Sequence, residues 1–248
     1  MKDYKHYIGT IITCNGREYP DFALGTYLRT EDEILELLKV YPYDKLMIDT
    51  AYRYNNEQAV SSAVIKSGYP QNQIVYIGKI NTGQQESGNT VREEFEGTLH
   101  RLRIPKINIY MIHSSRSSKY CKTWIEMIKL QNEGLIDSIG VSNFGIAAIE
   151  KIYNQSGVYP EINQIVFPQN ASERDMYDVQ KIIEYCQDKG ISVQAAMPFG
   201  GSKRSNELSE LQRLVILKQL RSQDLTCVFG TKNIQHLCQN ISWIEFGR

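Results

Sequence analysis

The chain has 248 residues, a length that suits one large α/β domain, and its 42% apolar and 23% charged content argues against disorder or a membrane span. Lys plus Arg (28) balances Asp plus Glu (28), so no overall field draws it onto nucleic acid or an anionic membrane. Its five cysteines, Cys14, Cys121, Cys186, Cys227 and Cys238, include no C-x-x-C pair, which speaks against a disulfide framework or a zinc site.

Met1 to Tyr7 is polar and charged with no apolar stretch behind it, so neither a signal peptide nor a membrane anchor is expected, and residence in the cytoplasm follows as the default. From Tyr7 to Tyr19, two short apolar runs flank Asn15-Gly16, a dipeptide suited to the φ > 0 positions of a tight turn. A β-hairpin is predicted there. Beyond Phe22, short apolar segments alternate with longer amphipathic ones, the pattern of repeated βα units and a parallel sheet.

The predicted strands are Phe22–Gly25, Lys45–Asp49, Ile74–Lys79, Ile107–His113, Ile136–Val141, Ile162–Ile165, Ser192–Ala196 and Leu225–Val228. The first helix carries a capping-box pattern, Thr30 with Glu33, followed by Ile34, Leu35, Leu37 and Leu38 on its buried side. The sixth ends at Gly190, a suitable residue just past a helix end, and Cys186 continues its apolar stripe with Val179, Ile182 and Ile183. Eight βα repeats close naturally into a barrel, although an open doubly wound sheet would read much the same by periodicity. No linker divides the chain, so residues 1–248 are expected to form one domain.

In a parallel barrel the reacting groups sit at the carboxyl ends of the strands. Three successive predicted strands end in Asp49, Lys79 and His113, each an ionisable residue closing an apolar run. Singly, Asp49 reads as a turn cap, Lys79 as a rim lysine and His113 as a hydrogen-bonded core histidine. Their shared position at one barrel mouth is the signal. Tyr54 lies on the loop leaving the Asp49 strand, where it reads either as a packing tyrosine or as a proton donor. A tyrosine can deliver a proton near neutral pH if a close cation favours its phenolate; Lys79 can be that cation, and Asp49 can hold it charged. His113 can donate a hydrogen bond to a carbonyl oxygen.

The stretch DTAYRYNNE (Asp49 to Glu57), followed by Lys79 and His113, resembles the aldo-keto reductases. The likeness continues through LGTY (Leu24 to Tyr27), GVSNF (Gly140 to Phe144), INQI (Ile162 to Ile165) and GTKNIQHLCQN (Gly230 to Asn240), covering nearly the whole chain in family order. It implies a (β/α)8 TIM barrel that binds NADP(H) across its mouth, with a tetrad of Asp49, Tyr54, Lys79 and His113. It also implies that Ser142, Asn143 and Gln164 hydrogen-bond the nicotinamide carboxamide. Thr231, Lys232 and His236 match the adenosine 2′-phosphate site, at a helix start whose N–H groups favour anions. Thr26, Met197, Phe199, Gly200 and Asn240 are carried over as further cofactor-binding residues. Outside the family, GVSNF is a β-to-α turn with a helix cap, and Lys232 a solvated surface charge.

The resemblance implies reduction of an aldehyde or ketone by NADPH. NADH is also admitted, because His236 stands where relatives often have a strong arginine. Other departures concern the substrate. After the seventh strand the family places an aromatic ring that stacks on the nicotinamide, whereas this chain reads Ala195-Ala196-Met197-Pro198-Phe199-Gly200, leaving an aromatic-sized gap at Ala196 for Met197, Phe199 or substrate to fill. Tyr27 and Ser114-Ser115 replace two pocket tryptophans. The Gly201–Glu210 segment is short, and Arg248 follows soon after the last predicted helix, so an open mouth suited to a large or carrier-borne carbonyl is expected. The lost ring and lid motivate an alternative from another class, an NADP(H)-binding barrel with a regulatory or structural role. A second alternative gives Lys79 a Schiff-base role.

Overall fold

Two antiparallel strands, β1 (Thr10–Ile12) and β2 (Glu18–Pro20), precede the main body in the computed structural model, which describes residues 9–80, 90–167, 173–200 and 207–246. Tyr7 and Ile8 of the predicted hairpin lie outside the described residues, as do 201–206 of the Gly201–Glu210 segment and the terminal Arg248. The hairpin turn corrects the sequence expectation. Only Gly16 adopts positive φ (+77°), while Asn15 instead offers its Oδ1 to the Thr13 hydroxyl at 2.5 Å and to the Arg17 N–H at 3.3 Å. The Gly16 N–H bonds the Thr13 carbonyl at 2.8 Å, so the strands are joined by a longer loop than a two-residue turn.

Eight parallel strands then close into a barrel: β3 (Phe22–Gly25), β4 (Leu46–Asp49), β5 (Ile74–Ile80), β6 (Ile107–Ile112), β7 (Ile136–Ser142), β8 (Ile162–Val166), β9 (Ser192–Ala196) and β10 (Thr226–Gly230). Closure is direct, since β10 pairs in parallel with β3, Cys227 opposite Phe22 and Gly230 opposite Gly25. The predicted strands are all present, Phe22–Gly25 and Ser192–Ala196 with the expected bounds and the others with shifted ends. His113 falls just beyond β6, and the last strand begins at Thr226 and runs on to Gly230.

The helices are α1 (Glu31–Val40), α2 (Glu57–Ser67), α3 (Val91–Leu102), α4 (Tyr120–Asn132), α5 (Ile146–Ser156), α6 (Glu173–Asp188), α7 (Glu210–Arg221) and α8 (Ile234–Phe246). The predicted capping box is formed: Thr30 accepts from the Glu33 N–H, and the Glu33 side chain returns the bond to the Thr30 N–H. Ile34, Leu37 and Leu38 are buried against the barrel, with Leu35 at the margin. Gly190 has φ +69° after α6, and Cys186 is fully buried.

Two apolar layers follow from strand alternation. Outward side chains pack under the helices, while Ala23, Met47, Ile77, Ile109, Met111, Ile162, Ala196 and Val228 fill the barrel interior. Tyr19 of β2 joins the interior cluster, its hydroxyl 2.8 Å from Ser138 Oγ and 3.3 Å from the Asn108 carbonyl. The hairpin thus stoppers the amino-terminal end of the barrel and leaves the other end for a site.

Candidate active site

The same alternation that fills the interior with methyl groups puts polar ones at its carboxyl end. Met47 is followed two residues on by Asp49, Ile77 by Lys79, Met111 by His113, and Ile162 by Gln164. Asp49, His113 and Gln164 line a cleft of about 900 Å³, within the range of small-molecule sites, with Lys79 buried behind them. The cleft is lined by Asp49, Tyr54, His113, Ser142, Asn143, Gln164 and Ala196, among others. A smaller hollow of about 420 Å³, lined by Gln58 and Leu99 to Ile104, contains none of these groups.

The Lys79 ammonium is fully buried and donates to Asp49 Oδ2 at 2.6 Å, to the Tyr54 hydroxyl at 3.2 Å and to the Thr50 carbonyl at 3.3 Å. Burial works against the charged lysine, but Asp49 and Tyr54 together outweigh it and hold Lys79 above its ordinary range. Lys79 therefore stays a cation. Burial also pushes the Tyr54 phenol upward, against the pull of Lys79, so the hydroxyl is protonated at neutral pH. This sharpens the expectation from sequence. Lys79 lowers the cost of the phenolate without making it the resting form.

His113 meets Tyr54 edge-on, ring centroids 5.7 Å apart. Burial, then the charges of Lys79 and Arg53, depress its pKa to about 3, so the imidazole is neutral. Its Nδ1 is buried with no hydrogen-bond partner among the described residues. Tyr27 packs on Tyr54 at 5.0 Å between centroids.

The Tyr54 turn is fixed from two sides. Asn56 donates to the Thr26 carbonyl at 2.7 Å and the Arg29 carbonyl at 3.2 Å and accepts from the Thr50 hydroxyl at 3.2 Å. Opposite, Arg101 of α3 pairs with Glu57 at 2.5 Å and lies 4.8 Å over the Tyr52 ring.

The polar groups beside the tetrad form a complementary set. Gln164 commits both N–H donors, to Asp49 Oδ2 at 2.8 Å and Gln194 Oε1 at 3.0 Å, leaving its own oxygen as acceptor. Asn143, at φ +57°, accepts from the Val166 N–H with Oδ1 and donates to Ser142 Oγ at 3.1 Å, which leaves the serine O–H and one amide hydrogen as donors. One acceptor beside two donors suits a primary carboxamide.

Farther along the cleft, Thr231 and Lys232 lead into α8, whose first two turns carry His236 and Asn240, and Asn233 Oδ1 caps the Gln235 N–H at 2.8 Å. Asn240 is buried, and its Oδ1 has no hydrogen-bond partner among the described residues. Arg213 of α7 lies 5.9 Å over the Phe199 ring and also lines this part of the cleft. The donor set fits a phosphorylated dinucleotide: cations and a helix amino end for phosphates, and an orphaned amide oxygen for a base. Met197, at φ +53°, and Gly200, whose N–H bonds the Met197 carbonyl at 2.8 Å, form the turn beneath it. Phe199 stacks on Phe229 at 5.2 Å.

Of the site residues singled out from sequence, Lys79 and Thr26 do not line the cleft: Lys79 is buried behind Asp49 and Tyr54, and Thr26 serves the backbone. Thr26 is fully buried and its hydroxyl donates to the Asp49 carbonyl at 2.9 Å. Sequence reasoning missed Arg53, Arg213 and Asn233, which read as ordinary surface polar residues on a turn or a helix. Only the asparagine, just before a helical run, carried a signal.

The family model described as the aldo/keto reductase family matches residues 30–241. Over 229 residues the chain is 30% identical to glyoxal reductase of Bacillus subtilis (strain 168), covering 92% of this chain and 79% of that one. It is 31% identical over 219 residues to 2,5-diketo-D-gluconic acid reductase B of Corynebacterium sp. (strain SHS752001), covering 85% of this chain and 74% of that enzyme. The crystal structure of an aldo/keto reductase from Brucella melitensis shares the fold at a TM-score of 0.79, with 24% identity over 96% of this chain and 94% of that one. That of MGS-M4, an aldo-keto reductase from a Medee basin deep-sea metagenome library, scores 0.80 at 20% identity, over 95% and 89% of the two chains.

Proposed function

The chain belongs to the aldo/keto reductase family and is an oxidoreductase, and from that premise we propose that it reduces an aldehyde or ketone to an alcohol with NADPH, Tyr54 supplying the proton. The carrying observation is the Lys79 ammonium, placed between Asp49 at 2.6 Å and the Tyr54 hydroxyl at 3.2 Å.

When bound, the nicotinamide supplies a hydride for the carbonyl carbon. Ser142, Asn143 and Gln164 orient its carboxamide. Neutral His113 donates to the carbonyl oxygen from Nε2, leaving the buried Nδ1 as acceptor. As negative charge grows on that oxygen, the Tyr54 O–H bond breaks and its proton moves across. The phenolate that remains is stabilised by Lys79, which Asp49 keeps charged, and is reprotonated from water.

Lys232, Thr231 and His236 hold the adenosine 2′-phosphate. An imidazole is a weaker anchor than a guanidinium, so NADH is accepted as a poorer second cofactor. The substrate reading follows from Ala196, whose small side chain lines the cleft where the resemblance leads one to expect an aromatic ring, and from the exposed rim residues Tyr27 and Leu28 (69% exposed). These features support a large or carrier-borne carbonyl whose contacts extend beyond the cleft. We read the chain as one barrel unit.

Steady-state oxidation of NADPH with a panel running from glyoxal and methylglyoxal to bulky aryl and thioester-linked aldehydes tests both parts. Turnover with none of them contradicts the reductase reading, and highest kcat/KM for the smallest members contradicts the large-substrate reading. The non-catalytic alternative finds support only in the bare position at Ala196. A Schiff-base role for Lys79 is disfavoured by its pairing with Asp49, which keeps the amine protonated and non-nucleophilic.

A further inference from the structure

The chain as a whole has no net charge, with 28 basic and 28 acidic residues. Its cleft is different. The described lining carries Arg29, Arg53, Arg213 and Lys232 against a single carboxylate, Asp49, which Lys79 already neutralises. Such an imbalance in a concave, partly desolvated site concentrates positive potential on whatever enters.

These cations fall into groups with different duties. Arg213 and Lys232 share the lining with Phe199, His236 and Asn240, the part of the cleft assigned above to cofactor phosphates. Arg29, near the tetrad, is engaged: its Nε donates to the Tyr27 carbonyl at 3.2 Å and its guanidinium pairs with Glu33 at 3.5 Å. Arg53 remains. It precedes Tyr54 in the turn Tyr52–Tyr54, so its Cα lies about 3.8 Å from that of the tyrosine. It is solvent-exposed and lines the cleft, and it makes no hydrogen bond or ion pair among the described residues. Its charge reaches the imidazole of His113.

An arginine held beside the reacting groups without a protein carboxylate has its planar fork of donors available for a ligand oxoanion. We propose that Arg53 binds a carboxylate or phosphate on the carbonyl substrate, so that the enzyme selects acidic aldehydes or ketones. The inference rests on the reductase reading for the identity of the ligand. The subsite itself rests on the charge and placement of Arg53.

The test is a set of matched substrates, 4-carboxybenzaldehyde against benzaldehyde and glyceraldehyde 3-phosphate against glyceraldehyde, with NADPH and with wild type, Arg53→Gln and Arg53→Glu. Wild type should favour the acidic member of at least one pair by roughly tenfold in kcat/KM, since a charged hydrogen-bonded pair at a half-open site is worth about one power of ten. The pair that shows it identifies the oxoanion. Arg53→Gln should bring that ratio near one, Arg53→Glu should invert it, and added salt should erode it in wild type. Equal rates within both wild-type pairs, a ratio that survives both substitutions, or a rise of KM for NADPH in place of the ratio change would overturn the proposal. To separate it from the reductase reading, Tyr54→Phe saturated with NADPH is titrated calorimetrically with the same compounds. Tighter binding of the acidic member, lost in Tyr54→Phe/Arg53→Gln, supports the subsite even without turnover. Turnover in wild type with no acidic preference in either assay removes the subsite and leaves the reductase.

Discussion

Gln164 donates an amide hydrogen to Asp49 at 2.8 Å, onto the same Oδ2 that holds the Lys79 ammonium at 2.6 Å. One side chain thereby joins the group proposed to read the nicotinamide carboxamide to the pair proposed to support the proton donor. Gln164→Leu should raise the dissociation constant of NADPH and also lower stability by about 1–3 kcal/mol, because the Gln194 oxygen and the Asp49 carboxylate each lose a buried donor. Fluorescence titration with NADPH and urea unfolding measure the two effects. A change in only one would mean that the junction is not shared.

Lys79 and Asp49 form a buried ion pair, so breaking it from one side is worse than removing it. Lys79→Met should cost about 3–5 kcal/mol in urea unfolding, since it strands a buried carboxylate. Asp49→Asn/Lys79→Met should recover a large part of that loss while remaining inactive. A double variant no more stable than the single would show that Lys79 contributes through packing alone.

How much of this was visible in the sequence depends on periodicity. Met47 with Asp49, Ile77 with Lys79 and Met111 with His113 could be assigned to one barrel mouth because side chains alternate along strands. The Tyr19 hydroxyl and Ser138, 119 residues apart, are brought together by the hairpin packing onto the amino-terminal end of the barrel, and no local pattern encodes their bond. The cleft positions of Arg53 and Arg213 were hidden for a related reason: a charged residue on a turn or helix reads as solvated surface until the fold sets it over a strand end. Thr26 was misplaced in the other direction, because its hydroxyl turned out to serve the Asp49 backbone.

His113 links the site to pH. Its folded pKa is about 3, well below the roughly 6.5 of an unfolded imidazole. Between those values the unfolded chain takes up a proton that the folded one refuses. Stability is therefore lost as pH falls through that window, by up to about 1.4 kcal/mol per pH unit from this residue. Unfolding curves from pH 7 to pH 4 should be less steep in pH for His113→Gln than for the wild type. The reductase rate should show no limb near pH 6.5, because the working imidazole is neutral throughout. An acid limb at that pH that disappears in His113→Gln would reverse this assignment.

At Ala196 the bare wall of the cleft can be filled. Ala196→Tyr should tighten NADPH roughly three- to tenfold by stacking, while lowering kcat/KM for bulky carbonyls more than for methylglyoxal. Weaker cofactor binding in this variant would mean that another group already occupies the space over Ala196.

Tyr54, with Lys79 3.2 Å from its hydroxyl, is the proposed proton donor of an NADPH-dependent carbonyl reduction. Steady-state kinetics of Tyr54→Phe, beside equilibrium binding of NADPH to the same protein, separate this role from cofactor binding. The variant should lose at least about a thousandfold in kcat/KM, given the size of a positioned acid's contribution together with lost orientation of the carbonyl, and should bind NADPH within about twofold of wild type. Wild-type turnover by Tyr54→Phe would rule out Tyr54 as the proton donor.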